Sequence, residues 1–249
     1  MGVNYNPFSL DGKTILVTGA SSGIGRTTAI ECSRLGAHLV ITGRHAENLT
    51  QTYNLLDGKG HVQIVADLSC PADIERLVAL SPVIDGFVNN AGQGDFRLID
   101  YLKQDIINDV YQVNVFAPMK LVKQLLRKNK ILSGGSIVFT SSISALLSAP
   151  ALSVYASSKA AITAYMRSCA VELGPRKIRA NAVLPGTVET PFISNTISED
   201  DVAKDKELYA LKRYGKPEDV AYGIIYMLSD AAAWITGTSL VIDGGRLLK

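Results

Sequence analysis

Short apolar runs rich in β-branched residues alternate along the chain with longer stretches whose apolar positions recur at helical spacing. The runs are Thr14–Thr18, His38–Thr42, His61–Ala66, Ile84–Asn89, Ser136–Thr140, Ile178–Leu184 and Ser239–Ile242. They are apolar on both faces rather than alternating, as in strands of a parallel sheet covered on each side. The helical stretches are Gly23–Leu35, Ala46–Leu56, Pro71–Leu80, Lys103–Asn129, Val154–Leu173 and Pro217–Leu228. This repeated strand–helix order predicts an α/β fold, a doubly wound parallel sheet of about seven strands with helices on both faces. No Pro/Gly/Ser-rich linker interrupts it, so residues 1–249 read as one domain. Residues 191–212 break the pattern: they are polar, acidic at Glu199, Asp200 and Asp201, and weakly periodic. They predict either a small lid or a solvated surface helix.

Composition narrows the class without naming a function. The chain is 47% hydrophobic and 19% charged, which excludes disorder. Its 25 Lys and Arg nearly balance 23 Asp and Glu, and no basic stripe appears, so no nucleic-acid partner is expected. Cys32, Cys70 and Cys169 are odd in number and lack CxxC spacing, as in a reduced cytoplasmic protein. Residues Met1–Pro7 show neither the basic nor the apolar part of a signal peptide. No apolar run approaches the ~18 residues of a membrane helix, so no membrane partner is expected. Tyr222–Leu228 reads as a buried helix.

The first strand runs into Thr18-Gly19-Ala20-Ser21-Ser22-Gly23-Ile24-Gly25 and then a helix. Glycines at such a junction let the backbone turn tightly and approach a pyrophosphate, which the helix N-terminus attracts. The spacing is GxxxGxG, and in its strand–helix context it predicts a dinucleotide-binding, Rossmann-type fold. The same stretch, Gly19-Ala20-Ser21-Ser22-Gly23, also fits G-x-S-x-G, the nucleophile elbow of hydrolases. That mechanism needs a later histidine as base. The histidines are His38, His45 and His61, and none follows in the rest of the chain. They also lack the spacing of a zinc site, so no metal is expected. About 20 residues past the glycines, NAD-binding folds place an acid for the ribose. Here Gly43 and Arg44 stand instead. Arg44 either pairs with a 2′-phosphate, favouring NADP over NAD, or is a solvated loop arginine.

Tyr155 and Lys159 open another helix at i, i+4, so they share a face. A nearby ammonium stabilises a phenolate and is expected to lower the tyrosine pKa, making Tyr155 an acid/base candidate. Upstream, Ser142 follows a strand end, as do Asn89-Asn90-Ala91-Gly92 and Leu184-Pro185-Gly186-Thr187-Val188-Glu189-Thr190. Polar strand ends on one sheet edge are where such folds bind ligands. Each taken singly is also an ordinary turn or cap.

Taken together these residues resemble the short-chain dehydrogenase/reductase family over nearly the whole chain. The matching parts are Thr18-Gly19-xxx-Gly23-x-Gly25, Asp67-Leu68, Asn89-Asn90-Ala91-Gly92, Asn114, Ser142, Tyr155-xxx-Lys159, Pro185-Gly186 and Asp243-Gly244-Gly245. The resemblance implies reduction of a ketone, or oxidation of a secondary alcohol, by hydride transfer with a nicotinamide cofactor. Tyr155 would be the acid/base and Ser142 would orient the carbonyl. Lys159 would tune Tyr155 and bind the ribose, and Asn114 would hold a relay water. Gly19, Ser21, Ser22, Gly23, Ile24 and Gly25 would cradle the cofactor. Asp67 and Leu68 would touch adenine, and Asn90, Ala91 and Gly92 the adenosine side. Pro185, Gly186, Val188 and Thr190 would meet the nicotinamide and phosphates. Two features depart from the family: Ser22 stands where NADP users often carry a basic residue, and Pro71–Asp85 is short.

For the substrate, Arg213–Val220 and the Pro185–Thr190 loop resemble 3-oxoacyl-(acyl-carrier-protein) reductases first, with sugar or polyol dehydrogenases as the alternative. The first reading makes acyl carrier protein a candidate partner, docking on Arg127-Lys128-Asn129-Lys130 or Arg176-Lys177-Ile178-Arg179. Those cations also complement helix C-termini without any partner. Residues 191–212 and Gln93–Phe96, with Phe192, Ile193 and Phe96 beside Gln93 and Asp95, would line the open, substrate side. The family commonly forms dimers and tetramers, so a homotetramer or homodimer is expected. A sensor that binds the dinucleotide without catalysis is a third, remoter reading, disfavoured by the full Asn114, Ser142, Tyr155 and Lys159 set.

Overall fold

The computed structural model describes residues 5–192 and 199–249. Seven parallel strands form one sheet in the order β3-β2-β1-β4-β5-β6-β7. They are β1 (Thr14–Thr18), β2 (His38–Gly43), β3 (Val62–Val65), β4 (Ile84–Asn89), β5 (Ile131–Thr140), β6 (Arg179–Pro185) and β7 (Ser239–Ile242). The helices are α1 (Gly23–Arg34), α2 (Ala46–Tyr53), α3 (Pro71–Leu80), α4 (Gln104–Tyr111), α5 (Ala117–Arg127), α6 (Ser153–Leu173), α7 (Glu199–Lys206) and α8 (Pro217–Leu228).

Successive strand residues bury on opposite faces. Leu16, Val40, Phe87, Ile137 and Phe139 join Leu121, Leu125, Ile162 and Met166 in one core. Ile15, Val17, Leu39, Ile41, Val88 and Val183 join Ala29, Val220 and Ile224 in the other. Each large side chain removed from water contributes ~1.5–3 kcal/mol, so both faces must stay apolar. This is why the strands read as continuous apolar runs. The chain winds outward in both directions from β1, whose neighbours are β2 and β4. The order therefore reverses between β1 and β4, and a crevice opens beyond their carboxyl ends. Thr18 braces that crevice: its Oγ1 accepts from the backbone N of Asn90 (3.0 Å) and Ala91 (3.1 Å).

Two expectations change. The helix read over Lys103–Asn129 is interrupted by a π turn at Gln112–Phe116. The extra residue in that turn rotates Asn114 inward, where it is 2% exposed, and periodicity alone does not register such an insertion. The fifth strand begins at Ile131 rather than Ser136, with a register irregularity between Ile84 and Gly86 of β4. Of residues 191–212, those at 199–206 form α7, whereas 193–198, including Ile193, lie outside the described residues. Among the described residues no helix is long and apolar enough to cross a membrane, and no His/Cys/Asp/Glu group could hold a metal.

Candidate active site

One cleft of about 830 Å³ runs along the carboxyl edge of the sheet. At one end stand Arg44, Asp67 and Leu68; at the other Ser142, Tyr155, Lys159, Pro185 to Val188 and Thr190 to Phe192.

The first end is built from backbone. Gly19 has φ +66°, and a Cβ there would lie 2.8 Å from the Ala91 Cα. A Cβ on Gly25 would run into the Gly19 carbonyl. Asn90 Nδ2 donates to the Thr18 carbonyl at 3.2 Å, holding the two strand ends together. Ser22, the N-cap of α1, makes no side-chain cap bond, so the first-turn N–H groups face the cleft without one. The Ser21 hydroxyl is buried without a partner and lies against Gly43. Gly43 and Arg44 stand where NAD-binding folds place a carboxylate. Arg44 is exposed and donates from Nε to His45 Nε2 at 3.3 Å. Hydrogen bonds from the Ser69 hydroxyl and backbone N, with the nearby Arg44 guanidinium, hold the Asp67 carboxyl below its usual range. A glycine cradle that excludes a Cβ at Gly19 and Gly25, an unpartnered buried hydroxyl and a cation at the rim fit the phosphates of a dinucleotide.

The other end is built from side chains. Lys159 is 5% exposed, and its Nζ donates to the Thr140 carbonyl at 2.9 Å. The same Nζ stands 5.6 Å from the Tyr155 ring centroid. Burial brings the Lys159 ammonium down to about 8. For Tyr155, burial pushes the phenol up to about 12, opposed by the Ser142 hydroxyl. The expected depression by Lys159 is absent: its ammonium is directed at the Thr140 carbonyl, and desolvation is the largest influence on the phenol. Ser142 Oγ accepts from the Ser144 backbone N at 3.0 Å, which fixes it beside Tyr155. A protonated phenol and a hydroxyl thus converge on one point, backed by a buried amine.

Asn114 completes this end as a brace. Its Nδ2 donates to Gln93 O (2.8 Å) and Ser158 Oγ (3.0 Å), while its Oδ1 accepts from Gln93 N (2.9 Å). Both amide hydrogens are committed within the protein. A Cβ on Gly92 would lie 3.3 Å from both Asn114 Oδ1 and Lys159 Nζ, so Asn114 stands beside the amine.

Every residue proposed from sequence for the cofactor or the chemistry lines the cleft, except Gly25 and Asn114, which support it from behind. Phe96 and Phe192 pack around Tyr155, with ring centroids 6.2 and 6.1 Å from it and 6.0 Å from each other. Asp205 and Tyr209, within the 191–212 segment expected on the open side, also line the cleft. So do Leu147–Leu152 and Arg246, which were not read from sequence because they lie in turns without periodic signal. Two cations of the expected docking rim have internal roles. Lys130 Nζ donates to Ser81 O (2.6 Å), and the Arg179 guanidinium donates to Ser229 O (3.2 Å).

Comparison with known proteins agrees with this geometry. A family model described as enoyl-(acyl carrier protein) reductase matches residues 19–246. The chain is 36% identical to an L-rhamnose 1-dehydrogenase (NAD(P)(+)) of Sphingomonas sp. (strain SKA58), across 96% of this chain and 98% of that one. It is 31% identical to the 3-oxoacyl-(acyl-carrier-protein) reductase of Rickettsia felis, across 96% and 98%. A solved short-chain type dehydrogenase/reductase from Mycobacterium marinum superposes with a TM-score of 0.88 at 28% identity, covering 98% of both chains. Sheet order, glycine loop and full-length similarity together make this chain an NAD(P)-dependent oxidoreductase of the short-chain dehydrogenase/reductase family.

Proposed function

We propose that the protein is a sugar or polyol dehydrogenase that uses NADP in preference to NAD. The observation carrying the substrate class is the 36% full-length identity to a rhamnose dehydrogenase, against 31% for the 3-oxoacyl reductase. The lining agrees. The Phe96 and Phe192 rings offer faces to the C–H side of a sugar ring, and Gln93 and Ser144 offer polar groups to its hydroxyls. The thioester reading moves to second place on that identity, and two of the rim's cations, Lys130 and Arg179, have internal partners.

In this reading Tyr155 Oη and Ser142 Oγ both face the reacting substrate oxygen. During oxidation Tyr155 acts as the phenolate: its own proton first leaves to solvent, with the Lys159 ammonium stabilising the anion. It then accepts the hydroxyl proton as the C–H hydride leaves, while Ser142 stabilises the forming carbonyl oxygen. In reduction Tyr155 returns the proton. Lys159, held by the Thr140 carbonyl, places positive charge behind the phenol, and Asn114 keeps the Gly92–Gln93 backbone beside it. The nicotinamide, when bound, supplies the hydride acceptor or donor. Gly19, Ser21, Ser22, Gly23, Ile24 and Gly25 would hold its phosphates, Arg44 the 2′-phosphate, and Asp67 and Leu68 the adenine. Asn90, Ala91 and Gly92 would hold the adenosine side, and Pro185, Gly186, Val188 and Thr190 the nicotinamide end. A homodimer or homotetramer would form through α4–α5 and α6, and light scattering reads it.

The test is an initial-rate panel of aldoses and polyols with NADP⁺ and NAD⁺, beside 3-oxoacyl thioesters with NADPH. An aldose or polyol should exceed every thioester by at least about tenfold in kcat/KM. Activity confined to thioesters would restore the other substrate class.

A further inference from the structure

Tyr209 lies in the weakly periodic segment after α7, yet it is 2% exposed. Its ring meets Tyr214 edge to face at 5.6 Å, and the Arg246 guanidinium lies over its ring at 5.9 Å. The hydroxyl reaches back to the loop after β6: Oη accepts from the Thr187 backbone N at 3.2 Å and donates to Thr187 Oγ1 at 2.8 Å. Among the described residues, Thr187 is otherwise held by backbone. Its carbonyl accepts from Gly215 N (2.9 Å), while the adjacent Gly186 N donates to Ile242 O (3.0 Å). The segment carrying Tyr209 is anchored too, because Leu211 N donates to Gly244 O at 3.1 Å. One phenol therefore ties three chain segments together: the 185–190 loop, residues 207–212 and the C-terminal turn. From the end of α7, Lys206 also pairs with Glu189 of the loop at 3.3 Å, an exposed and weak contact.

We propose that Tyr209 is a positioning residue, its hydroxyl setting the Thr187–Thr190 backbone for the nicotinamide end of the dinucleotide. The inference deepens the reading above, because it rests on assigning the Pro185–Thr190 loop to the cofactor. Without the hydroxyl, the Thr187 N–H loses its acceptor in a part-buried loop, and the loop samples other conformations. The cofactor must then order it on binding. Affinity falls, whereas the Ser142–Tyr155 chemistry, on other elements, is left alone.

The experiment compares wild type with Tyr209→Phe, Thr187→Val and Thr187→Ser. NADPH affinity is measured by calorimetry, and hydrogen exchange over residues 185–190 is measured in the cofactor-free protein. Tyr209→Phe keeps the ring and its packing. We expect NADPH Kd to rise about tenfold, the size of effect expected when a buried donor loses its acceptor. Loop exchange should accelerate by a similar factor, with kcat at saturating cofactor within about twofold of wild type. Thr187→Val should weaken binding in the same direction. The Tyr209→Phe/Thr187→Val double variant should be less than additive, and Thr187→Ser should behave as wild type. A Tyr209→Phe variant with unchanged Kd and loop exchange would overturn the proposal, as would one that only lowers Tm. Wild-type protein that fails to bind NADPH or NADH would instead overturn the cofactor assignment. The exchange measurement, which needs no cofactor, would still judge the tie itself.

Discussion

The two ends of the cleft are made of different material. The end at Arg44 and Asp67 is backbone: Gly19 and Gly25 stand where no Cβ fits, and Thr18 and Asn90 lock the strand ends together. The end at Tyr155 is side chains drawn from β5, α6 and the loops after β4 and β6. A backbone cradle tolerates little substitution and recognises a constant group. A side-chain wall can be rebuilt residue by residue and so is where substrate choice resides. Each substitution below should act on one end and spare the other.

The largest effect belongs to Tyr155→Phe. Loss of a positioned acid/base removes roughly 10²–10⁴ in kcat, and dinucleotide binding should persist. Gly25→Val comes next. Its side chain meets the Gly19 carbonyl, so a titration should show dinucleotide binding weakened at least about tenfold, with a lower Tm. Arg44→Ala should cost about tenfold in kcat/KM with NADP⁺ and little with NAD⁺. Equal loss with both would make Arg44 a solvated loop residue. Phe96→Ala removes one ring beside Tyr155 and should raise substrate KM a few-fold, about 0.5–1.5 kcal/mol, with cofactor KM unchanged.

A smaller effect concerns pH. The Lys159 pKa is lowered to about 8, so the amine carries its charge below that pH and loses it above. Reduction needs the cation behind a protonated Tyr155, so its kcat/KM should fall as pH rises through about 8. A profile flat to pH 10 would remove Lys159 from the chemistry.

What the sequence disclosed follows the same division. Glycines between a strand and a helix leave a local signature, and so do Tyr155 and Lys159 one helical turn apart. The alternating strands and helices made the sheet legible because both faces are buried. The inward turn of Asn114 was not legible, since one extra residue in a π turn leaves the apolar pattern of Lys103–Asn129 intact. Nor was the direction of the Tyr155 shift. Spacing shows that Lys159 is near, but not that its amine is directed at the Thr140 carbonyl or how far the phenol is desolvated. Tyr209 was silent for a similar reason: its partner, Thr187, lies on another element and only tertiary folding brings them together.

The most direct test is a crossed measurement of NADPH Kd and of kcat on Tyr155→Phe and Arg44→Ala. If one end holds the dinucleotide and the other performs the chemistry, Tyr155→Phe loses turnover with Kd within about twofold of wild type. Arg44→Ala then shows the reverse, Kd raised about tenfold with kcat within about twofold. Parallel loss of affinity and turnover in both variants would contradict that division.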